Sequence, residues 1–274
     1  MRLKCYDFSG IRVGVESETE LAESAAVSRF AIACERPDFV VTLEFRETLP
    51  DTPEMLVAAE EWYCKKTKLE ADQPEQAFVY SGFSGDSCRM YVLKRFRDGF
   101  DVDSVFRHLP LHHALLKYDA FIIHASYVLI NGEAILFSAP SGTGKSTQAE
   151  LWRKYRGARV INGDRVLVRR GENGFTAGGI YYSGTSGICE NVTAPIRAIA
   201  LISQAPQSTA EKCRGAEAFR RLLRECTYST EFENDPADIA ALLAAVVNAV
   251  DIVKLDCLPD ESAVIALENY LTER

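Results

Sequence analysis

Three things are absent from this chain of 274 residues, and each absence removes a class of function. No apolar run reaches the ~18 to 20 residues of a membrane span, and the opening MRLKCYDFSG lacks the apolar core of a secretory leader. A cytoplasmic protein without a membrane partner is expected. The eight cysteines (Cys5, Cys34, Cys64, Cys88, Cys189, Cys213, Cys226, Cys257) include no CxxC pair, so neither a zinc ribbon nor a disulfide framework is indicated. Reduced, mostly buried thiols are expected instead. No basic block interleaved with aromatics occurs, and a net charge of −8 disfavours attraction to phosphate backbones, which excludes nucleic acid as a partner. Internal repeats and low-complexity tracts are missing as well.

What remains is a globular composition, 47% hydrophobic and 26% charged, enough for one large or two modest domains. Its most informative stretch is Glu133 to Trp152, EAILFSAPSGTGKSTQAELW. An apolar run over Ala134–Phe137 reads as a buried strand, a glycine-punctuated loop follows, and an amphipathic helix begins at about Ser146. Polyphosphate needs several backbone N–H donors converging on one point, and Gly142 and Gly144 let the main chain approach that closely. The helix that follows turns its positive end toward the anion. In this reading Ser141, Gly142, Thr143, Gly144, Lys145, Ser146 and Thr147 bind nucleotide phosphates, Lys145 reaches the β- and γ-phosphates, and the Ser146 hydroxyl ligates Mg²⁺. The Walker A pattern GxxxxGK[ST] fails only at its first position, where Ala139 replaces glycine. A tight strand-to-helix connection is the plain alternative, but it leaves Lys-Ser-Thr after the glycines without a packing reason.

Before this stretch, residues 1–107 read as a strand-rich α+β region of unknown role, and residues 108–274 as the phosphate-binding domain. Strands are expected over Ile11–Val15, Phe39–Phe45, Ala77–Tyr80 and Met90–Leu93, with a helix from Thr52-Pro53-Glu54 through Trp62 toward Lys68. His108 and His112 have i, i+4 spacing, but Pro110 spoils a shared helical face, which favours a connector over a metal site.

Asn131-Gly132 between apolar runs predicts a two-residue hairpin turn. Its register pairs Ile130 with Glu133, Val128 with Ile135 and Ser126 with Phe137, and puts His124 opposite Ala139 at the mouth of the loop. His124 is thereby either a phosphate or acceptor contact or a strand histidine satisfied by a neighbouring carbonyl. The helix after the loop should stop at Gly157, and the strand Arg159–Ile161 ends in Asn162-Gly163-Asp164. An acid at the end of a strand beside the loop can hold Mg²⁺ or accept a proton from an attacking hydroxyl, although NGD is also ordinary turn chemistry. The segment GGIYYSGTSGICEN suits a lid or a plain surface loop, with Glu190 its one carboxylate. Further on come a strand Ala194–Ser203 with Arg197 available as a cation, helices Gly215–Cys226 and Asp235–Ala249, a strand Ile252–Leu255 and a terminal helix from Glu261. Arg220, Arg221 and Arg224 read as a solvated face.

Together these residues resemble the C-terminal domain of HPr kinase/phosphorylase and its relatives in peptide-biosynthesis clusters. The likeness runs from about Phe121 to Leu271 and rests on His124, the NG hairpin leading into SGTGKST, the strand ending at Asp164, the SGTSG loop and VKLDCLPDESAVIALENYL. It implies an α/β fold: a phosphoenolpyruvate carboxykinase-like P-loop core of mixed β-sheet with flanking helices, preceded by the smaller α+β region. It further implies phosphates on Ser141–Thr147, Mg²⁺ near Ser146 and Asp164, and His124 near the transferred phosphoryl group. Two positions depart from the family's pattern: Thr147 stands where an acid is usual, and Gly163-Asp164 where two aspartates are usual. The expected function is that of an ATP-dependent kinase acting on a hydroxyl, of a serine in a peptide or protein or of a small metabolite, with Lys145, Asp164 and His124 carrying catalysis. The alternative is an ATP-binding module that recruits a partner. Carboxykinase chemistry is a weaker third reading, since no second metal site is evident.

Overall fold

The computed structural model describes residues 1–48, 86–228 and 232–273, together with the backbone of the strands Cys64–Lys68 and Phe78–Ser84. The chain divides into two compact units, Met1–Ala114 and Leu115–Arg274. That boundary lies beyond the one read from sequence, which would cut the helix Val102–His108.

The first unit is a mixed seven-stranded sheet. Strands β1 (Arg2–Phe8) and β2 (Ile11–Ser17) form a hairpin whose turn residues, Ser9 and Gly10, both take positive φ. β3 (Ala31–Ile32) pairs the outer edge of β1, while β4 (Phe39–Arg46) runs parallel to β2. β5 (Cys64–Lys68) and β6 (Phe78–Ser84) pair antiparallel and join the sheet through β7 (Ser87–Leu93). The helix expected from Thr52 lies outside the described residues as far as Trp62, and over Cys64–Lys68, where it was to end, the chain is strand β5. His108 closes the helix Val102–His108, capped at its start by Asp101, and His112 belongs to the next helix, Leu111–Leu116. Pro110 separates the two, so the histidines share no helical face.

The second unit is built on two long strands. β8 (Ala120–Ile130) and β13 (Thr193–Gln204) each serve two sub-sheets. β8 pairs with β9 (Glu133–Ser138) on one edge; on its other edge lie β10 (Arg159–Asn162) and then β11 (Arg165–Gly171). β11 turns into β12 (Gly174–Gly179), β12 pairs β13, and β13 lies parallel to β9. The ladder therefore closes: β8, β11, β12, β13, β9 and back to β8. β16 (Asp251–Cys257) adds parallel to β13, and β14 (Thr209–Lys212) forms an antiparallel edge.

Alternation along these strands sends side chains to two faces. Ile123, Ala125, Tyr127, Leu136, Ile199 and Leu201 pack with helices Gly215–Glu225 and Asp235–Ala249. Ile135, Phe137, Ala198, Ala200, Val253 and Leu255 pack with helices Lys145–Arg156 and Glu261–Thr272. In the second layer Trp152 stacks at a tilt on Phe137, ring centroids 6.3 Å apart. Burying side chains of that size contributes about 1.5–3 kcal/mol each.

Candidate functional site

The hairpin register is the one its turn dictates. Asn131 and Gly132 have φ of 51° and 82°, and the pairs Ile130–Glu133, Val128–Ile135 and Ser126–Phe137 all form. The ladder ends at Ala125–Ser138, and the Ser138 hydroxyl donates to the His124 carbonyl at 3.1 Å. His124, in the middle of β8, thus sits beside the end of β9, where the loop departs.

The loop leaves β9 at Ala139 and enters the helix at Lys145. Gly142 and Gly144 hold φ of 79° and 118°, a backbone region that side chains other than glycine resist. Along the helix Lys145, Gln148, Ala149 and Trp152 are buried, which is the i, i+3, i+4, i+7 stripe of an amphipathic helix, and Gly157 ends it in the left-handed conformation. No acid occupies its first turn, so the positive end of the dipole is uncompensated. Ser141, Gly142, Ser146 and Thr147 are exposed around this end, while Thr143 and Gly144 are half-buried. The Thr143 carbonyl accepts from Gln204 Nε2 at 3.3 Å, tying the loop to the end of β13. Lys145 is 6% exposed, and its ammonium donates to the carbonyls of Ala139 at 2.8 Å and Pro140 at 3.3 Å. Burial pulls its pKa down, against the opposing pull of the Glu225 and Asp164 carboxylates. A cleft of 560 Å³ lies beside the loop, bounded by Gly142–Gly144, Gln204–Pro206 and Cys257–Pro259.

Asp164 reaches the site by a route that the sequence reading did not foresee. Its strand was placed next to the phosphate-loop strand, but β8 lies between β10 and β9. Nor is NGD a hairpin turn: β10 and β11 run along one edge of β8, Tyr127 opposite Asn162 and His124 opposite Arg165, with Gly163-Asp164 between. Asn162, fully buried, organises this kink. Its side-chain oxygen accepts from the N–H groups of Asp164 and Arg165 at 2.9 and 3.0 Å, and its amide donates to the carbonyls of Ile180 and Tyr182. The Asp164 carboxylate is left 3.3 Å from His124 Nε2 and 3.6 Å from Arg165 Nε.

A second acid completes the cluster, and it was not singled out from sequence. Glu225, the last residue of helix Gly215–Glu225, places Oε2 3.2 Å from His124 Nδ1. Its side chain is 10% exposed, against 25% for His124 and 27% for Asp164. A signal existed: an anion in the last turn opposes the helix dipole, so its presence there needs a partner from elsewhere.

The segment Tyr182–Gly187 packs over the kink. Gly184, with φ of 55°, approaches Asp164 so closely that a Cβ there would lie 2.9 Å from the Asp164 Cβ and Cγ atoms. A Cβ on Gly163 would lie 2.2 Å from Ser186 Oγ. Other charged side chains find partners away from this cluster. Glu190 is ion-paired with Arg159 at the start of β10, and Arg197 donates to the Leu271 carbonyl at 2.7 Å, capping the terminal helix. Arg221 is not purely solvated either, since it donates to the Ile202 carbonyl and meets Ser203 Oγ, both at 3.1 Å.

The glycine-bent loop and Lys145 thus lie near a cluster in which the His124 ring stands between the Asp164 and Glu225 carboxylates. Among the described residues, no three His, Cys, Asp or Glu side chains are arranged to hold a metal ion by themselves, and no helix is long and apolar enough to cross a membrane. No protein-family model matches the chain, and no curated protein does. Among solved structures the chain is similar to an HPr(Ser) kinase/phosphatase from Coxiella burnetii, at 11% identity and a TM-score of 0.30 over 56% of this chain and 91% of that one. An overlap this loose identifies neither a family nor a site.

Proposed function

We propose that the chain is an ATP-dependent kinase that transfers the γ-phosphoryl group to a hydroxyl, of a serine in a peptide or protein or of a small hydroxylated metabolite. One observation carries the reading: a glycine-bent strand–loop–helix with Lys145 at its neck stands within electrostatic reach of Asp164 and Glu225. Loop N–H groups from Gly142 to Thr147 and the Lys145 ammonium are suited to neutralise the β- and γ-phosphates. The Ser146 hydroxyl and the Asp164 carboxylate are hard oxygen donors of the kind Mg²⁺ prefers alongside phosphate oxygens and water, and the ion there would screen the phosphate charge. Asp164 is the group that takes the acceptor's proton as the new O–P bond forms and the bond to ADP breaks. His124 Nε2 lies 3.3 Å from that carboxylate.

Two features favour a second reading, an ATP-binding module with little turnover. Lys145 is held by the loop's own carbonyls, and Gly184 lies against Asp164, so both must move before chemistry. Isotope-labelled ATP offered with hydroxyl-bearing peptides and metabolites separates the two. Acceptor-dependent ADP supports the kinase; tight binding without turnover supports the module; failure to bind ATP removes both.

A further inference from the structure

We propose that Cys5 and Cys34 form a reversible redox clasp at the edge of the first unit's sheet, a dithiol that a small disulfide such as oxidised glutathione converts to a Cys5–Cys34 bridge. The clasp is independent of the phosphate-loop site and of the kinase reading.

Strand register brings the two cysteines together. Cys5 lies opposite Ile32 in the β1–β3 pair, and Tyr6 opposite Ala31. Side chains two positions apart on a strand share a face, so Cys34 falls on the same side of the sheet as Cys5, on the diagonal. In a regular ladder that diagonal spans ~7–8 Å, just beyond the ~4.4–6.8 Å that a disulfide bridges between Cα atoms. Here the ladder stops at Ile32 and the chain closes on β1: the Cys5 thiol donates to the Cys34 carbonyl at 3.2 Å. The backbone that carries Cys34 is therefore in contact with the Cys5 sulfur.

The side chains are coupled as well. Burial first, and then the hydrogen bond and charge of the Cys34 sulfur, push the Cys5 thiol up to about 11, against the pull of the Arg12 guanidinium. Exposure distinguishes the two, since Cys5 is 4% exposed and Cys34 is half-buried. That difference sets the order of steps, because solvent-borne reagents meet Cys34 first. The Cys34 thiolate attacks one sulfur of oxidised glutathione, forming a mixed disulfide and releasing one glutathione. Cys5 then gives up its proton and attacks the Cys34 sulfur; the bond to glutathione breaks, and the second glutathione leaves with the proton. Two protein thiols are oxidised and one small disulfide is reduced to two thiols, so electrons and protons balance.

The bridge would reinforce a weak edge. β3 is two residues long and meets β1 in two register pairs, and the segment after it leads to Asp38, which pairs with Arg12 on β2 at 2.7 Å. A covalent tie at Cys34 fixes that whole return to the strand beside it.

The test uses the full chain, reduced, incubated with oxidised glutathione, alkylated, digested and mapped by mass spectrometry. A peptide pair linked through Cys5 and Cys34 is expected, about 2 Da lighter than the two free peptides together and separated by dithiothreitol. Cys5→Ser should trap glutathione on Cys34, whereas Cys34→Ser should leave Cys5 a free thiol, with thermal melting to check that each variant folds. The oxidised chain should melt about 5 °C above the reduced one. Recovery of both cysteines alkylated overturns the proposal, as does Cys34 found only as its glutathione adduct, or either cysteine bridged elsewhere. Glutathione on Cys5 in Cys34→Ser overturns the order of steps, and an oxidised chain that melts below the reduced one overturns the clasp. The map of the unaltered chain decides by itself if a variant does not fold.

Discussion

The two units treat charge in opposite ways. Among the described residues of the first, most ion pairs lie at the surface, as with Arg2 and Glu20, Arg12 and Asp38, and Lys94 and Glu47, while Lys4 meets a partly buried Glu23. In the second, Lys145 and Asn162 are buried and Glu225 nearly so, all around the middle of β8 and the neck of the glycine-bent loop. Exposed pairs gain little and cost little, because water screens them. Buried ones must each find a partner, and a set that does so at one place on the molecule is organised for charge. The difference is one reason to seek the proposed site in the second unit.

The sharpest way to break that contrast is at Lys145. Lys145→Ala should abolish ADP formation and weaken Mg·ATP binding by about a hundredfold in calorimetry, with the fold intact, because in the proposed kinase it removes the cation that neutralises the phosphates. Undiminished turnover in that variant would end the phosphate-loop reading. Asp164→Asn comes next: turnover should drop by about 10²–10⁴ while ATP affinity changes little, since a proton acceptor is lost and the cradle is not. Gly184→Ala sharpens the picture further. A Cβ forced against Asp164 displaces the carboxylate, and displacements of this size cost up to about a hundredfold in rate.

The remaining predictions concern the first unit. His108 is buried against Phe100, with which it stacks at 6.1 Å, and burial first, then Arg107, lowers its pKa. A base whose pKa is lowered by folding takes up its proton more readily when unfolded, so it is neutral support above its unfolded value of about 6.5 and a liability below it. Melting temperature should therefore decline as pH falls from about 7.5 through that value, and His108→Gln should flatten that part of the profile. The smallest effect is expected at the surface: Arg2→Ala should shift stability by no more than about 0.5 kcal/mol in denaturant titration. A large loss there would erase the distinction between the units.

Much of the second unit was legible because its signals are local. Asn131-Gly132 fixes a hairpin register without reference to anything distant, and the glycines of SGTGKST with the apolar stripe behind them specify strand, loop and helix. The partners of Arg197 and Glu190 were not legible for the converse reason: whether an arginine caps a helix or an acid meets an arginine depends on groups far along the chain. The placing of β10 beside the loop strand failed likewise, since strand order is decided by which ladders close.

The sequence by itself determined that a glycine-bent loop would open between a buried strand and an amphipathic helix, because backbone freedom at glycine and the period of apolar residues act over a few positions. Only the tertiary structure decided what faces that loop. Closing β8 against both β11 and the strand after Glu225 brings a carboxylate 101 residues away onto the second nitrogen of His124, and no local rule encodes a contact across such a separation.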